Sequence, residues 1–342
     1  MSNSKTMLAW HLTKPGPVDQ SLAPIELIEC PIPTPATNEV LVKVLTCGVC
    51  HTDLHVTEGD LPMHQEHVTP GHEIVGEVVA NGSSAHRFQR GDRIGVPWFR
   101  QACGVCRFCR SGQENLCPHS TYTGWDHDGG YAQYVTVPEG FAYRLPKELD
   151  PVSAAPLLCA GIIGYRAFKR AQVPAGGSLG LYGFGGSASL CAQLALHEGI
   201  EVHVFTRGLA AQAAALKMGC ASAQGAYDPA PELLDSAILF SPAGEMVPNA
   251  LANLAPGGTL AIGGIHLSDI PSLNYQSAIF HEKNLTSVES NTRQDGEEWL
   301  ALAHRLKIIP HTTEYPFDQA LAALQRVKKG NLDGALVLKM PQ

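Results

Sequence analysis

The sequence contains no long run of basic residues and no long run of apolar ones. Lys and Arg number 24 in 342 residues, against 32 Asp and Glu, so the formal net charge is −8. Without a basic stretch that could neutralise a series of phosphates, we expect no nucleic-acid partner. No segment reaches the roughly 18 uninterrupted apolar residues of a membrane-spanning helix, so we expect no membrane association.

Signals for export are also missing. The first residues, MSNSKTMLAWHL, lack the basic start and the apolar stretch of a secretory signal. Ten cysteines are present, and four of them lie between Cys103 and Cys117. Such a cluster fits metal ligation under reducing conditions better than a disulfide framework. We therefore expect a cytoplasmic, metal-binding protein.

The chain is long enough for two domains, and its hydrophobic content of 44% supplies apolar side chains for two cores. In residues 8–150, short β-type runs such as EVLVKVLTCGV and HEIVGEVVANG are separated by Gly, Pro and Asn. This pattern predicts an antiparallel, barrel-like domain. In residues 161–290, apolar strands alternate with alanine-rich helical stretches, which predicts βαβ units around a parallel sheet.

The tail from residue 291 contains two predicted helices, GEEWLALAHRLK and FDQALAALQRVKKG, and a final strand, ALVLKM. The return to strand at the end predicts that the tail rejoins the first domain. The predicted first domain is therefore 1–160 with 291–342, and the predicted second domain is 161–290. The fold class is mixed α/β.

Four cysteines follow the spacing C-x2-C-x2-C-x7-C, at Cys103, Cys106, Cys109 and Cys117. Four thiolates on one short loop form a closed tetrahedral zinc site, which leaves no position for water or substrate. The predicted role is therefore structural. An iron–sulfur cluster also takes four thiolates and is the alternative interpretation.

Three further segments each offer one metal ligand: CGVCHTDLH at 47–55, PGHEIVGEV at 70–78 and PLLCAGIIGY at 156–165. Singly they are weak evidence, because a lone histidine is more often a core or surface residue and a lone buried cysteine behaves as a small hydrophobe. Together, two sulfurs, one nitrogen and an open fourth position are typical of an electrophilic metal catalyst.

With these motifs the sequence resembles the zinc-dependent medium-chain alcohol dehydrogenases over essentially its whole length. The resemblance implies a GroES-like β-barrel catalytic domain and a Rossmann coenzyme domain, whose parallel sheet is doubly wound. It implies two zinc ions per subunit. The ligands of the catalytic zinc would be Cys50, rather than the nearby Cys47, together with His72 and Cys159.

The resemblance also assigns roles to neighbours of these ligands. Thr52 would hydrogen-bond the alcohol oxygen and begin a proton relay, and His55 would be the solvent end of that relay. Asp53 would accept a hydrogen bond from the ring of His72, and Glu73 would sit behind the metal.

Two more residues match positions of the family near its substrates. His51 would contact the pyrophosphate of the coenzyme, with an ordinary solvent-facing histidine as the alternative. Trp98 would line the alcohol pocket, with an ordinary core tryptophan as the alternative.

A glycine-rich turn follows the apolar strand SLGLYGF and opens a helix rich in alanine and leucine. Its G-x-G-x-x-A pattern consists of Gly183, Gly185 and Ala188, and Gly186 lies within it. Glycines at such a turn let the backbone approach a pyrophosphate that rests on the helix N-terminus. The motif alone is weak evidence, but with a strand before the turn and a helix after it the sequence predicts a dinucleotide site.

The choice between NAD and NADP rests on the end of the next strand, EVHVFTRG. Thr206 and Arg207 occupy the place where a carboxylate would bind the ribose hydroxyls of NAD. The missing acid and the arginine favour NADP, whose 2′-phosphate an arginine can bind, while NAD stays open. Ala335 stands where family members often have a pyrophosphate-binding arginine.

The expected activity is reversible hydride transfer between NAD(P) and a small primary alcohol or aldehyde. One alternative is a quinone or enone reductase on the same scaffold, which usually dispenses with metal. The other is a non-catalytic redox sensor that binds zinc and dinucleotide. The resemblance further implies a homodimer or homotetramer.

Overall fold

The run EVLVKVLTCGV forms a single strand, Glu39–Val49, and the run HEIVGEVVANG supplies the strand Glu73–Asn81. The structure is a computed structural model, and it describes residues 6–20, 22–330, 332 and 334–341. The chain divides into two units. Unit 1 comprises Met1–Cys159, Thr292–Glu297 and Pro310–Gln342, and unit 2 comprises Ala160–Asn291 and Glu298–Ile309.

The first part of unit 1 is dominated by strands, joined by short helices. In chain order its elements are β1 Thr6–Leu12, β2 Ile25–Pro31, β3 Glu39–Val49, α1 His51–Glu58, β4 Glu73–Asn81, β5 Arg93–Val96, β6 Phe99–Gln101, α2 Arg107–Arg110, β7 Thr121–Tyr122, β8 Tyr134–Pro138, β9 Tyr143–Arg144 and α3 Pro151–Ala154, with 3-10 helices at Glu114–Leu116, Glu139–Phe141 and Ala155–Leu158.

Unit 2 alternates helices with strands, as the alanine-rich pattern predicts. Its elements are α4 Ala160–Ala171, β10 Ser178–Tyr182, α5 Gly186–His197, β11 Glu201–Phe205, α6 Leu209–Met218, β12 Ser222–Gln224, β13 Leu234–Leu239, α7 Val247–Ala252, β14 Leu254–Ile262, α8 Tyr275–Ala278 and β15 Asn284–Ser287, with a 3-10 helix at Gly244–Met246.

The tail begins with a helix that contributes residues to both units and then returns to unit 1. Its elements are α9 Arg293–Leu306, β16 Thr312–Pro316, a 3-10 helix at Phe317–Gln319, α10 Ala320–Lys328 and β17 Ala335–Lys339.

The main sheet of unit 1 has the strand order β16-β17-β3-β4-β5-β9, and β8 pairs with another stretch of β3. β3 is antiparallel to β17, β4 and β8, and Gly48 lies opposite Glu73 in the register. β3 ends one residue before Cys50, and β4 begins one residue after His72. The antiparallel pairing therefore brings two distant segments to the same end of one sheet.

The sheet of unit 2 is parallel, with the order β12-β11-β10-β13-β14-β15. Numbered within the unit, this order is 3-2-1-4-5-6, the order of the Rossmann fold. Apolar side chains alternate between its two faces. Leu181, Val204 and Ile238 belong to one buried cluster, while Tyr182 and Phe205 belong to another. Both faces are covered, which confirms the predicted doubly wound fold.

The tail departs from the prediction that all of 291–342 rejoins the first domain, because Glu298–Ile309 belongs to unit 2. The reason is Trp299, whose side chain is fully buried and stacks 6.1 Å from the ring of Tyr165. A Cβ added at Gly161 would lie 2.3 Å from Nε1 of Trp299, so the indole packs directly on the backbone of α4. Burying this indole stabilises the packing of this part of the tail on α4.

Within the described residues, no single helix has the length and apolarity needed to cross a membrane, although the consecutive segments Pro151–Leu158 and Ala160–Ala171 pass that test when taken together as a bent pair.

Candidate metal centres and dinucleotide site

The three ligands predicted for the catalytic metal lie together in unit 1. The sulfurs of Cys50 and Cys159 are 3.9 Å apart, and Nε2 of His72 lies 3.3 Å from the Cys159 sulfur. Zn–S bonds of about 2.3 Å in a tetrahedron place two sulfurs about 3.8 Å apart. The spacing of the two sulfurs therefore fits a zinc ion.

The carboxylate of Asp53 fixes the ring of His72. Oδ1 of Asp53 lies 2.8 Å from Nδ1 of His72, and both side chains are buried. Burial disfavours the charged imidazole, but the carboxylate outweighs it and raises the pKa of His72 well above its ordinary value. The hydrogen bond to Asp53 holds a proton on Nδ1, so Nε2, which faces the Cys159 sulfur, is the nitrogen available to a metal.

A capping box at the start of α1 holds Asp53 in turn. The Cys50 backbone N–H donates to Oδ2 of Asp53 at 2.9 Å, and the Cys50 sulfur accepts from the Asp53 N–H. Gly71 donates its N–H to Oδ1 at 3.1 Å, and the Tyr131 hydroxyl donates to Oδ2 at 3.2 Å. Burial and Asp53 raise the pKa of Tyr131 well above its ordinary value, so its hydroxyl stays a donor. Sequence reasoning missed Tyr131, which has no neighbouring motif.

The two cysteines near the start of α1 differ in their surroundings. The hydrogen bond with Cys159, followed by that with His72, holds the pKa of Cys50 well below its ordinary value despite burial. Burial raises the pKa of Cys47 well above its ordinary value, and Cys47 lies outside the group of metal-ligating atoms. The position of its sulfur among the other ligand atoms therefore makes Cys50, and not Cys47, the candidate ligand.

Glu73 comes closer to the ligands than the sequence predicts. Instead of lying only behind the metal, it offers a carboxylate oxygen within 4.8 Å of the ligand atoms of Cys50, His72 and Cys159. Gly48 makes this possible, since a Cβ there would lie 1.8 Å from Oε2 of Glu73. Glu73 is therefore a fourth candidate ligand.

The residues predicted for proton transfer and coenzyme contact follow along α1. The hydroxyl oxygen of Thr52 is buried and lies 3.8 Å from the Cys50 sulfur. His55 lies one turn further, partly exposed, with Nδ1 2.7 Å from the carboxylate of Asp60. His51 is exposed at the first position of the helix. Its contact with a pyrophosphate stays a prediction.

Aromatic rings stand beside the ligands. Trp98 is half-buried, and its ring centroid lies 5.0 Å from that of His72 in an edge-on arrangement. Tyr122 and Trp125 stack on Trp98 at 5.0 and 5.9 Å. The sequence identified Trp98 only. The two added rings extend it into an apolar wall next to the metal ligands.

The four-cysteine loop also forms a cluster, in which the ligand atoms of Cys103, Cys106, Cys109 and Cys117 lie within 4.8 Å of one another. Backbone N–H groups point at the sulfurs: those of Cys106 and Cys109 donate to the sulfurs three residues earlier, at 3.4 and 3.5 Å. Hydrogen bonds from the amides of Val105 and Cys106 lower the pKa of Cys103 to about 6. Such donors stabilise the thiolates that a metal requires.

The glycine-rich turn of unit 2 leaves room for a ligand at the carboxyl end of β10. Gly183 has a left-handed φ of 91°, and a Cβ at Gly185, the N-cap of α5, would meet no atom within 4 Å. Gly186 begins α5, and Ala188 is fully buried in it. Open space in front of a helix N-terminus suits a pyrophosphate.

Thr206 and Arg207 lie next to this turn. Gly183 donates its N–H to the carbonyl of Phe205, the last residue of β11, and Thr206 and Arg207 follow directly. Arg207 is exposed. Both residues are therefore at the strand end where the ribose of a dinucleotide binds in Rossmann folds.

Known proteins are similar to this chain in sequence over almost its whole length. The family described as alcohol dehydrogenase GroES-like domain matches residues 36–147. The chain is 54% identical over 342 residues to the probable alcohol dehydrogenase AdhA of Mycobacterium tuberculosis, covering 98% of each chain. This chain belongs to the zinc-dependent medium-chain alcohol dehydrogenases.

Solved structures agree with this assignment of the dehydrogenase. A cinnamyl alcohol dehydrogenase from Sorghum bicolor superposes with a TM-score of 0.87 at 27% identity, covering 98% of each chain. The CAD of Helicobacter pylori, complexed with NADP(H), superposes with a TM-score of 0.84 at 25% identity over 98% of each chain. The dehydrogenase is an NAD(P)-dependent oxidoreductase that acts on alcohols and aldehydes, and zinc is the metal of its family.

Replacing Asp53 with Asn in the dehydrogenase is expected to weaken zinc binding at the His72 site by roughly 10- to 100-fold. The neutral amide removes the charge that holds the proton on Nδ1. Competition against a chromophoric chelator measures the affinity. Asp318→Asn removes an exposed carboxylate of the same unit and serves as the matched control. Equal zinc affinity in both variants would contradict the orienting role.

Proposed function

We propose that the dehydrogenase binds two zinc ions per subunit, a catalytic one at Cys50, His72 and Cys159 and a structural one at the four-cysteine loop. The observation that carries this proposal is the difference between the two clusters. One offers four sulfurs and is closed, whereas the other combines two sulfurs, a nitrogen and the carboxylate of Glu73. A mixed set with an exchangeable oxygen is suited to catalysis, and an all-thiolate set is suited to structure.

The chemistry of alcohol oxidation divides between the bound groups and the side chains. Zinc supplies a Lewis acid that acidifies an alcohol and polarises a carbonyl, and the nicotinamide supplies the hydride acceptor or donor. Thr52 hydrogen-bonds the alcohol oxygen and takes part in moving its proton outward. His55, three residues later on the same face of α1, exchanges that proton with solvent and is held by Asp60.

The substrate proposed is a primary alcohol or aldehyde with an apolar carbon skeleton. The wall of Trp98, Tyr122 and Trp125 supports this choice, because aromatic faces bind hydrocarbon chains and rings but give no hydrogen bonds to polar ones. The similar sorghum structure is a cinnamyl alcohol dehydrogenase, whose name indicates an aromatic alcohol.

Unit 1 is proposed as the catalytic domain and unit 2 as the dinucleotide-binding domain. Self-association into a homodimer or homotetramer is part of the proposal. Exposed apolar side chains such as Tyr275 and Phe280, 65% and 50% exposed, supply surface for it. Sedimentation velocity tests this point, and a monomer at micromolar concentration would contradict it.

The coenzyme proposed is NADP, with Arg207 binding the 2′-phosphate. Arg207→Ala is expected to raise the KM for NADP roughly 10- to 100-fold, since a hydrogen bond to a charged group contributes about 1.5–3 kcal/mol. The KM for NAD should change little. Arg305→Ala, which removes an exposed arginine elsewhere in unit 2, is the control. An Arg207→Ala enzyme with unchanged KM for NADP would overturn the assignment.

One experiment tests the proposed function as a whole. Initial rates with a panel of aliphatic and aromatic primary alcohols and their aldehydes, each with NAD and with NADP, are measured on protein of known zinc content. We expect turnover with two zinc ions per chain. Equal turnover by metal-free protein, or activity only toward quinones and enones, would contradict it.

A further inference from the structure

A third group of metal-ligating side chains lies in unit 2, outside both centres described above. Glu201, His203 and Glu232 each offer one ligand atom, and these atoms lie within 4.8 Å of one another. Glu201 and His203 are two residues apart on β11, so their side chains share one face of the sheet. Glu232 belongs to the loop before β13.

His203 is the central member of this group. It is only 2% exposed, and its Nδ1 lies 2.7 Å from the hydroxyl oxygen of Ser222. Its Nε2 is buried and has no hydrogen-bond partner among the residues that the structure describes. The nearby carboxylate oxygen of Glu201 is 3.6 Å away, beyond the range of an N–H···O bond. A buried polar atom left without a partner carries a desolvation penalty of about 1–3 kcal/mol.

The surroundings of Nδ1 allow Nε2 to present a lone pair. The hydroxyl oxygen of Ser222 accepts a hydrogen bond from the side-chain amide of Gln224 at 2.8 Å, and its second lone pair can accept from Nδ1–H of His203. In that tautomer the lone pair of Nε2 faces the two carboxylates. Three electron-rich atoms facing one another repel unless a cation lies between them.

The distances suit such a cation. Zinc bonds of about 2.0–2.2 Å to nitrogen and carboxylate oxygen, arranged tetrahedrally, separate two ligand atoms by about 3.3–3.6 Å. The 3.6 Å between Nε2 of His203 and Oε1 of Glu201 agrees with this separation. Glu201 and Glu232 are exposed, so a metal ion can enter from solvent and complete its coordination with water.

We propose that Glu201, His203 and Glu232 form a third site that binds a divalent transition-metal ion such as zinc. The site is at the amino end of β11, whereas the glycine-rich turn follows the carboxyl end of the neighbouring β10. The bound ion stabilises the sheet of unit 2 and takes no part in hydride transfer. This proposal is independent of the two centres in unit 1.

Calorimetric titration with zinc chloride tests the proposal on dehydrogenase that has been dialysed against a weak chelator until two zinc ions per chain remain. Wild-type protein should bind one more zinc ion per chain, and its Tm should rise with zinc concentration, since a cation that binds the folded state stabilises it. Glu232→Gln should weaken the binding of this additional zinc ion by at least about tenfold. Mutating a residue that only supports a metal ligand already costs about that much affinity, and Glu232 is itself a proposed ligand. His203→Gln should abolish this binding.

Glu198→Gln, which neutralises an exposed glutamate of unit 2 outside the group, is the control and should bind like wild type. If His203→Gln does not fold, Glu232→Gln decides, because its side chain is exposed. The proposal is overturned if wild-type protein takes up no further zinc. That result is expected if His203 and Glu201 form a simple ion pair. It is also overturned if all variants bind equally. Zinc content measured before the titration reports the two thiolate centres separately.

Discussion

Cys50→Ala is expected to lower kcat by at least about 1,000-fold and the zinc content from two ions per chain to one. The sulfur lies 3.9 Å from that of Cys159 and belongs to the group of metal-ligating atoms with His72. A Lewis acid at the reacting oxygen contributes several kcal/mol to the barrier, and each 1.36 kcal/mol is a factor of ten in rate. Fold and dinucleotide binding should persist, because Cys50 is not part of unit 2.

Cys47→Ala is the matched control for this experiment. Cys47 is fully buried three residues earlier and does not belong to the ligand group, so its variant should keep both zinc ions and most of its turnover. Metal analysis, initial rates and coenzyme fluorescence titration give the three readouts. Substantial turnover by Cys50→Ala, or equal loss in both variants, would contradict the assignment of Cys50 as the ligand.

Cys109→Ala is expected to lower Tm by about 10 °C or more while the protein that remains folded keeps its specific activity. The loop around Cys109 buries few side chains, so thiolate–metal bonds replace a hydrophobic core there. Structural zinc binding contributes several kcal/mol to folding, and each kcal/mol shifts Tm by a few degrees in a protein of this size. Arg293 binds this loop through Glu114, with Nη2 2.7 Å from Oε2.

Differential scanning calorimetry and metal analysis measure this effect, with Cys30→Ala as the control. Cys30 is a half-buried cysteine of β2 outside the cluster. Cys109→Ala should lose one zinc ion and Cys30→Ala none. Equal Tm values for the two variants would contradict a structural zinc at this loop. Visible absorbance of the wild-type protein would instead favour the iron–sulfur alternative.

Local patterns predicted those features of the fold that depend on neighbouring residues. Strand β3 has the bounds of the run EVLVKVLTCGV because a short run rich in valine and leucine, bounded by punctuation, specifies a largely buried strand. The Rossmann unit follows for the same reason, since each strand and helix carries its own pattern. The tail was assigned less well, because the burial of Trp299 against Gly161 is a contact between distant residues that leaves no local signal.

In the candidate site too, residues in local motifs were predicted and residues that act through distant contacts were missed. Cys50, His72 and Cys159 stand in short motifs, so the sequence could identify them before their convergence was known. Tyr131 and Gly48 were missed, since one acts through a hydrogen bond across 78 residues and the other through the absence of a side chain. The place of Glu73 among the ligands likewise depends on space that only the packed strands define.

The sequence by itself determined which residues can ligate metal and where the dinucleotide turn lies, because thiolate spacing and glycine patterns are written along the chain. Tertiary structure decided how closely these groups approach. Antiparallel pairing of β3 with β4 brings ligands 22 residues apart to one end of a sheet, and the parallel sheet of unit 2 places Glu232 beside His203. Distances of this kind arise from packing and strand register, which no local pattern encodes.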